Sequence, residues 1–397
     1  MIYCIINALA YVIIVLIIGL KKGIYTPPFL LAVVYATIAI MGLLYCPEYD
    51  RAPFLELWPF VYLFIVVIIY FRPVLVLKIP TSFRINRALK LIVYLYVICS
   101  LIHVHNVGSL LYTWLQSGDW LALKAAAYEG DLGFHSNFIQ VIASIIVPTL
   151  MPFIMVMAFC LISNTNVKFY KGAILLLLAI IPDIVTSLLY SYRGGLFSIA
   201  MITLAVYLLF INTMAKERRK KCNRALAVAA FAILALVFSI SLSRFGDNDM
   251  GGSLISYLGQ SMLVFNAGIA VSADSTMGGR YFFQKLFGVT RDDIWKDALL
   301  KSYTDNGAAL NTFVGCSYLD FGFLLTILIA IFVSLVLYNV FKKKTSSPFA
   351  ILYLYVFYLN YLFLGVFHST IGYSRTVFMA IIVFVFLRKI EVKYKTH

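Results

Sequence analysis

The chain has 397 residues, 62% hydrophobic and 12% charged, with a mean hydropathy of +0.94 and a formal net charge of +15. A soluble domain carries about twice that charged fraction, so the composition points instead to an all-α polytopic integral membrane protein. In such a chain a basic surplus is read loop by loop for orientation, and no nucleic-acid partner is implied.

Eleven apolar runs approach the roughly 20 residues that cross a bilayer core. They are Ile2 to Leu20, Phe29 to Tyr45, Phe54 to Phe71, Leu89 to Val107, Phe138 to Ile162, Lys171 to Tyr190, Leu196 to Met214, Ala225 to Ser241, Tyr318 to Val340, Phe349 to Val366 and Thr376 to Leu387. The first is expected to stay as a helix, because its positive charges follow the apolar run and no small-residue cleavage site comes after it. Basic residues follow alternate runs: Lys21 and Lys22; Arg72 to Lys90; Lys168 and Lys171; KERRKKCNR at Lys216 to Arg224; Lys342 to Lys344; and RKIEVKYK at the end. These segments hold 22 of the 32 Lys and Arg but only Glu217 and Glu391 of 17 acids. The positive-inside rule therefore puts them in the cytoplasm, the N-terminus outside and the C-terminus inside.

Two outer loops decorate what reads as one membrane domain over residues 1–397. In the smaller, 108–137, Trp114 and Trp120 with the leucines suggest an interfacial helix, with Asp119, Glu129, Asp131 and His135 near the surface. The larger runs from Ser243 to Tyr318. Its uncharged stretch, Ser253 to Ala273, is long enough to cross, but crossing would export Lys342 to Lys344 and the basic C-terminus. It is read as a helix lying in the outer interface or re-entering against protein. Cys4, Cys46, Cys99, Cys160, Cys222 and Cys316 are scattered singly, with no disulfide framework or zinc spacing, and neither a metal nor a cofactor is expected.

The outer arginines stand against the positive-inside rule and so carry information. Arg193 lies in YSYRGG, Arg244 and Arg280 in the long loop, and Arg375 in HSTIGYSRTVF. Arg51 is surrounded by Glu48, Asp50 and Glu56, and Arg291 stands beside Asp292 and Asp293, which neutralise them. Guanidinium forks match phosphate oxygens, so Arg193, Arg244, Arg280 and Arg375 are candidate pyrophosphate ligands; the alternative is that each snorkels to lipid headgroups. Gly194 and Gly195 would let a ligand approach the backbone at a helix start. Asp183, beside Pro182 within the sixth run, either lines a cavity and orients an arginine or forms a structural ion pair. Among His103, His105, His135 and His368, the first choice of general base is His368, which shares a short connection with Arg375.

RGG at the mouth of a span, a large late outer loop and NTFVGCSYLDFGF leading into the next span together resemble the oligosaccharide repeat unit polymerases of O-antigen and capsule synthesis. The resemblance implies glycosyl transfer at the outer face of a bacterial inner membrane, with undecaprenyl-pyrophosphate-linked oligosaccharides as both substrates and a chain-length-setting co-polymerase as partner. It singles out Arg193 and the segment Asn311 to Gly322, with Asp320 placed to position a sugar or an arginine. Candidate catalytic groups are thus His368, Asp320 and Asp183. An O-antigen ligase, with lipid A core as acceptor, shares these features; a lipid-linked oligosaccharide flippase would instead keep its charges inside the bundle and its loops short.

Overall fold

The structure, a computed structural model, describes residues 1–77, 83, 85–117, 137–190, 193–245, 250–271, 276–280, 282–283, 312–342, 347–367 and 374–393. Among these the chain forms helices and no strand. In order they are α1 (Ile2–Lys22), α2 (Pro27–Tyr45), α3 (Leu57–Phe71), α4 (Arg87–Ser117), α5 (Phe138–Ser163), α6 (Phe169–Leu189), α7 (Arg193–Phe210), α8 (Lys216–Phe245), α9 (Met250–Leu263), α10 (Thr312–Lys342), α11 (Pro348–Leu364) and α12 (Ser374–Lys393). Among the described residues seven are long and apolar enough to cross a membrane: α1, α2 and α3, the last two with short 3-10 continuations, α4, α5, α6 and α10. The protein is therefore an α-helical membrane protein. α4 continues through Ser117, past the start expected for the smaller loop at Gly108, because LLYTWLQS contains no helix breaker. Residues 118–136, and with them Trp120, Asp119, Glu129, Asp131 and His135, lie outside the described residues.

The chain divides into two compact units. The first comprises Met1–Lys78, Asp249–Lys344 and Tyr358–Phe378. Its foundation is α1, α2 and α3, with α9 packed along α2. Small residues allow that approach: a Cβ on Gly259 would stand 2.4 Å from the Met41 carbonyl oxygen. The uncharged run is thus a helix laid against protein. It continues from α9 as a π-helix, Val264–Ala270, whose buried Asn266 donates to the Glu56 carbonyl (2.7 Å) and accepts from the Glu56 N–H (3.0 Å).

In α10 the chain reverses at a single residue. Gly322 has φ 75° and ψ −177°, a region open essentially to glycine alone. On one side of it, Phe313 packs edge-on against Tyr70 (5.0 Å between ring centroids) and Tyr318 against Tyr62 (5.6 Å). On the other, the Phe323 carbonyl accepts from the Tyr62 hydroxyl (2.9 Å), and Arg72 stands over the Tyr338 ring (4.8 Å). Tyr62 and Tyr70 are ~12 Å apart along α3. A short buried limb, 312–321, therefore climbs that length of α3, and a long limb, 323–342, descends it again. TFVGCSYLDFGF is this limb and its turning point rather than a straight lead into a span.

Helix ends inside an apolar bundle leave carbonyls that need donors, and tyrosines supply them. Tyr35 donates to the Leu362 carbonyl (3.0 Å) near the end of α11, and Tyr358 to the Tyr70 carbonyl (2.7 Å) near the end of α3.

The second unit comprises Ile79–Asn248, Thr345–Phe357 and Met379–His397. Here α5 is the central helix, packed against α4, α6 and α7 and nearly all buried from Leu150 to Phe159. A capping box of Asn137 and Gln140 starts it. Glu391 is buried because both its oxygens cap α11, accepting from the Phe349 and Ala350 N–H groups at 2.9 Å each. Arg218, in the basic run that opens α8, donates to the carbonyls of Ile162 (2.8 Å), Asn164 (2.7 Å), Thr165 (3.1 Å) and Val167 (2.7 Å), closing the α5 to α6 turn.

Candidate functional site

In the first unit the reversal at Gly322 creates a mounting point. A helix that stops leaves its last carbonyls without N–H partners. The turn TMGGR takes them up: the Met277 N–H donates to the Leu319 carbonyl (2.8 Å) and the Gly279 N–H to the Asp320 carbonyl (3.2 Å). Gly278 and Gly279 supply the positive φ values, 63° and 85°, that fold the turn. The Asp320 carboxylate adds a third bond, accepting from the Phe282 N–H through Oδ2 (2.9 Å). Asp320 is only 1% exposed, whereas Arg280, on the turn it pins, is exposed. The geometry fits a carboxylate that positions an arginine-bearing turn. Sequence reasoning singled out Asp320 and Arg280 separately; the paired glycines before Arg280 were the signal that joins them.

The other end of the short limb is also tied. Thr312 adopts φ 59°, unusual for a β-branched residue, and its hydroxyl accepts from the Gly315 N–H (3.0 Å) as an N-cap. The Thr312 N–H donates to the Phe367 carbonyl (3.2 Å) and the Phe313 N–H to the Gly365 carbonyl (2.7 Å). The described end of the connection that holds His368 and Arg375 is thereby bonded to the start of the limb that holds Asp320. His368 lies outside the described residues, as does the side chain of Arg375, which stands in the first turn of α12.

In the second unit a polar seam runs between α4 and α6. Tyr96, Ser100 and His103 recur at helical spacing on α4. Pro182 lacks an N–H, which frees the Leu178 carbonyl one turn earlier; Ser100 donates to that oxygen (3.2 Å), and Tyr96 to the adjacent Ala179 carbonyl (3.1 Å). His103 Nε2 meets the Thr186 hydroxyl (3.0 Å), which donates to the Pro182 carbonyl (2.8 Å). Val107, Leu111 and Leu189 close over the seam toward the end of α6. Asp183 is half-buried on this helix, next to Pro182. Among the described residues no cation pairs with it. The seam lies ~9 Å from the end of α6, after which α7 opens on Arg193. Gly194 is buried and Gly195 half-buried in that first turn; the side chains of Arg193 and of Arg244, near the end of α8, lie outside the described set.

No family model, curated protein or solved structure matches this chain. Its function is therefore argued from its own residues. Of the expected residues within the described set, Asp320, Arg280 and Arg375 belong to the first unit, and Asp183, Arg193, Gly194, Gly195 and Arg244 to the second. A groove of about 370 Å³ in the first unit is lined by Ile14, Ile17, Ile68, Arg72, Ile331 and Leu335 among others. It lies by the end of α3 that carries Arg72, not the end that carries Tyr62 and the Asp320 turn.

Proposed function

We propose that this chain is a glycosyltransferase that polymerises undecaprenyl-pyrophosphate-linked oligosaccharide repeat units into O-antigen or capsular polysaccharide. It acts at the outer face of a bacterial inner membrane, with eleven spans, the N-terminus outside and the C-terminus inside. The observation that carries the reading is an exposed arginine, Arg280, on a turn fixed by a buried carboxylate, in a loop from which the positive-inside rule would remove a stray cation. Arg193, Arg244 and Arg375 on the same side, and the resemblance of the RGG and NTFVGCSYLDFGF segments to repeat unit polymerases, support it.

In this reaction the bond between the anomeric carbon of the growing glycan and its pyrophosphate carrier breaks, and the same carbon bonds to a hydroxyl oxygen of the incoming repeat unit. His368 takes the hydroxyl proton. Negative charge develops on the departing pyrophosphate, where a guanidinium stabilises it more strongly than in the ground state; the candidates are Arg280 and Arg375 in the first unit and Arg193 and Arg244 in the second. Asp320 positions Arg280, Gly194 and Gly195 admit the carrier to the start of α7, and Asp183, on the helix before it, is the remaining candidate catalytic group.

Purified protein in vesicles, given a synthetic undecaprenyl-pyrophosphate-linked repeat unit, is expected to yield products lengthened by whole repeats and to release undecaprenyl pyrophosphate. Glycan transfer only when lipid A core is added would identify an O-antigen ligase, and movement of the lipid across the vesicle wall without bond formation a flippase.

A further inference from the structure

We propose that Cys4 and Cys46 are joined by a disulfide bond. Cys4 lies in the first turn of α1 and Cys46 opens the 3-10 turn that ends α2. Their sulfurs stand 3.1 Å apart, and each residue is 2% exposed. Closing to the ~2.05 Å of a disulfide needs ~1 Å of movement, which two side chains at helix ends can supply. A turn further along α1, Asn7 donates to the Met262 sulfur (3.4 Å), so the same corner is held against α9 as well.

The redox setting follows from orientation. On the orientation read from the basic loops, the start of α1 and the end of α2 face away from the cytoplasm, where disulfides persist. The inference rests on that orientation and not on the sugar chemistry proposed above. In the bonding step each thiol loses its proton and one sulfur–sulfur bond forms. The two electrons and two protons pass to a protein disulfide of that compartment, which leaves as a dithiol. Exchange runs while the α1 and α2 hairpin is emerging, because access to the folded pair is closed. The bond then ties the lipid-facing first helix to α2, the helix on which α9 and its π-helical continuation are seated.

The test is thiol counting on the full chain, extracted from membranes with an alkylating agent present and then unfolded without reductant. Four of the six cysteines are expected to label, rising to all six after reduction, with a Cys4 to Cys46 cross-linked peptide in the unreduced digest. The Cys4→Ser variant is expected to label at its remaining five positions with or without reductant. Six labelled cysteines in the unreduced wild-type chain overturn the proposal.

Discussion

At Asp320 a single oxygen decides whether a backbone N–H inside the protein has a partner. Asp320→Ala leaves the Phe282 N–H without its acceptor, a loss of about 1–3 kcal/mol, whereas Asp320→Asn keeps an acceptor in place. We expect the alanine variant to lose polymer synthesis and the asparagine variant to retain most of it, both measured as chain length on a gel. Equal loss in both would show that the charge, not the positioning, matters. Arg218 presents a different case, since one planar group serves four carbonyls. Lysine has no fork, so Arg218→Lys is expected to lower stability by roughly 1.5–3 kcal/mol, seen as an earlier thermal transition in detergent. Two helical turns of α8 hold a thiol that responds to its surroundings: burial pushes Cys222, which precedes the apolar part of α8, up to about 11, with Arg218 opposing in part. The thiol therefore stays protonated as pH rises through 7 and 8, and maleimide labelling of the folded chain at Cys222 is expected to stay slow until the pH nears 11.

For the elements, close approach is written in glycines. Gly259→Ala would drive a Cβ to 2.4 Å from the Met41 carbonyl oxygen and 2.8 Å from the Gly42 nitrogen, backbone atoms that cannot swing away. It is expected to separate α9 from α2 and reduce the yield of folded protein. Gly108→Ala on α4 meets nothing within 4 Å and is expected to stabilise slightly, by up to ~1 kcal/mol; thermal melting of the two variants side by side checks the opposite signs. Gly322→Ala combines a Cβ 3.0 Å from Thr276 with a φ of 75°, and a loss of about 1–3 kcal/mol is expected there. That glycine also shows why one element escaped sequence reading. Hydropathy reports transfer from water and carries no direction, so TFVGCSYLDFGFLLTILIAIFV reads as one continuous apolar approach. Its reversal rests on one backbone conformation and on Tyr62 standing ready to satisfy Phe323. By contrast, α1, α5 and α6 were legible to within a few residues, because each is a long apolar run bounded by polar or breaker residues. The Cys4 and Cys46 pair was invisible for the same reason that any tertiary contact is: nothing in either local sequence names its partner.

Across the whole molecule, composition alone fixed the class, because a chain with 12% charged residues has no soluble way to bury its apolar majority. The candidate site was legible only as a list. Arg280 and Asp320 stood out by sidedness and by motif, and their bonding through the glycine turn came from the fold-back of α10. Asp183 stood out as an acid in an apolar run, whereas the polar seam on its helix, made by Tyr96, Ser100, His103 and Thr186, depends in part on a carbonyl that Pro182 sets free. The proposed polymerisation of lipid-linked repeat units is tested by a gel of surface polysaccharide, with extraction of lipid-linked sugars, from a strain lacking the gene and from one carrying Arg193→Ala. Polymer is expected to vanish in both while single repeat units accumulate or reach the surface alone. Unchanged long-chain polysaccharide in the deletion strain would contradict it, and long chains that persist on the lipid carrier without reaching lipid A would assign the protein to ligation instead.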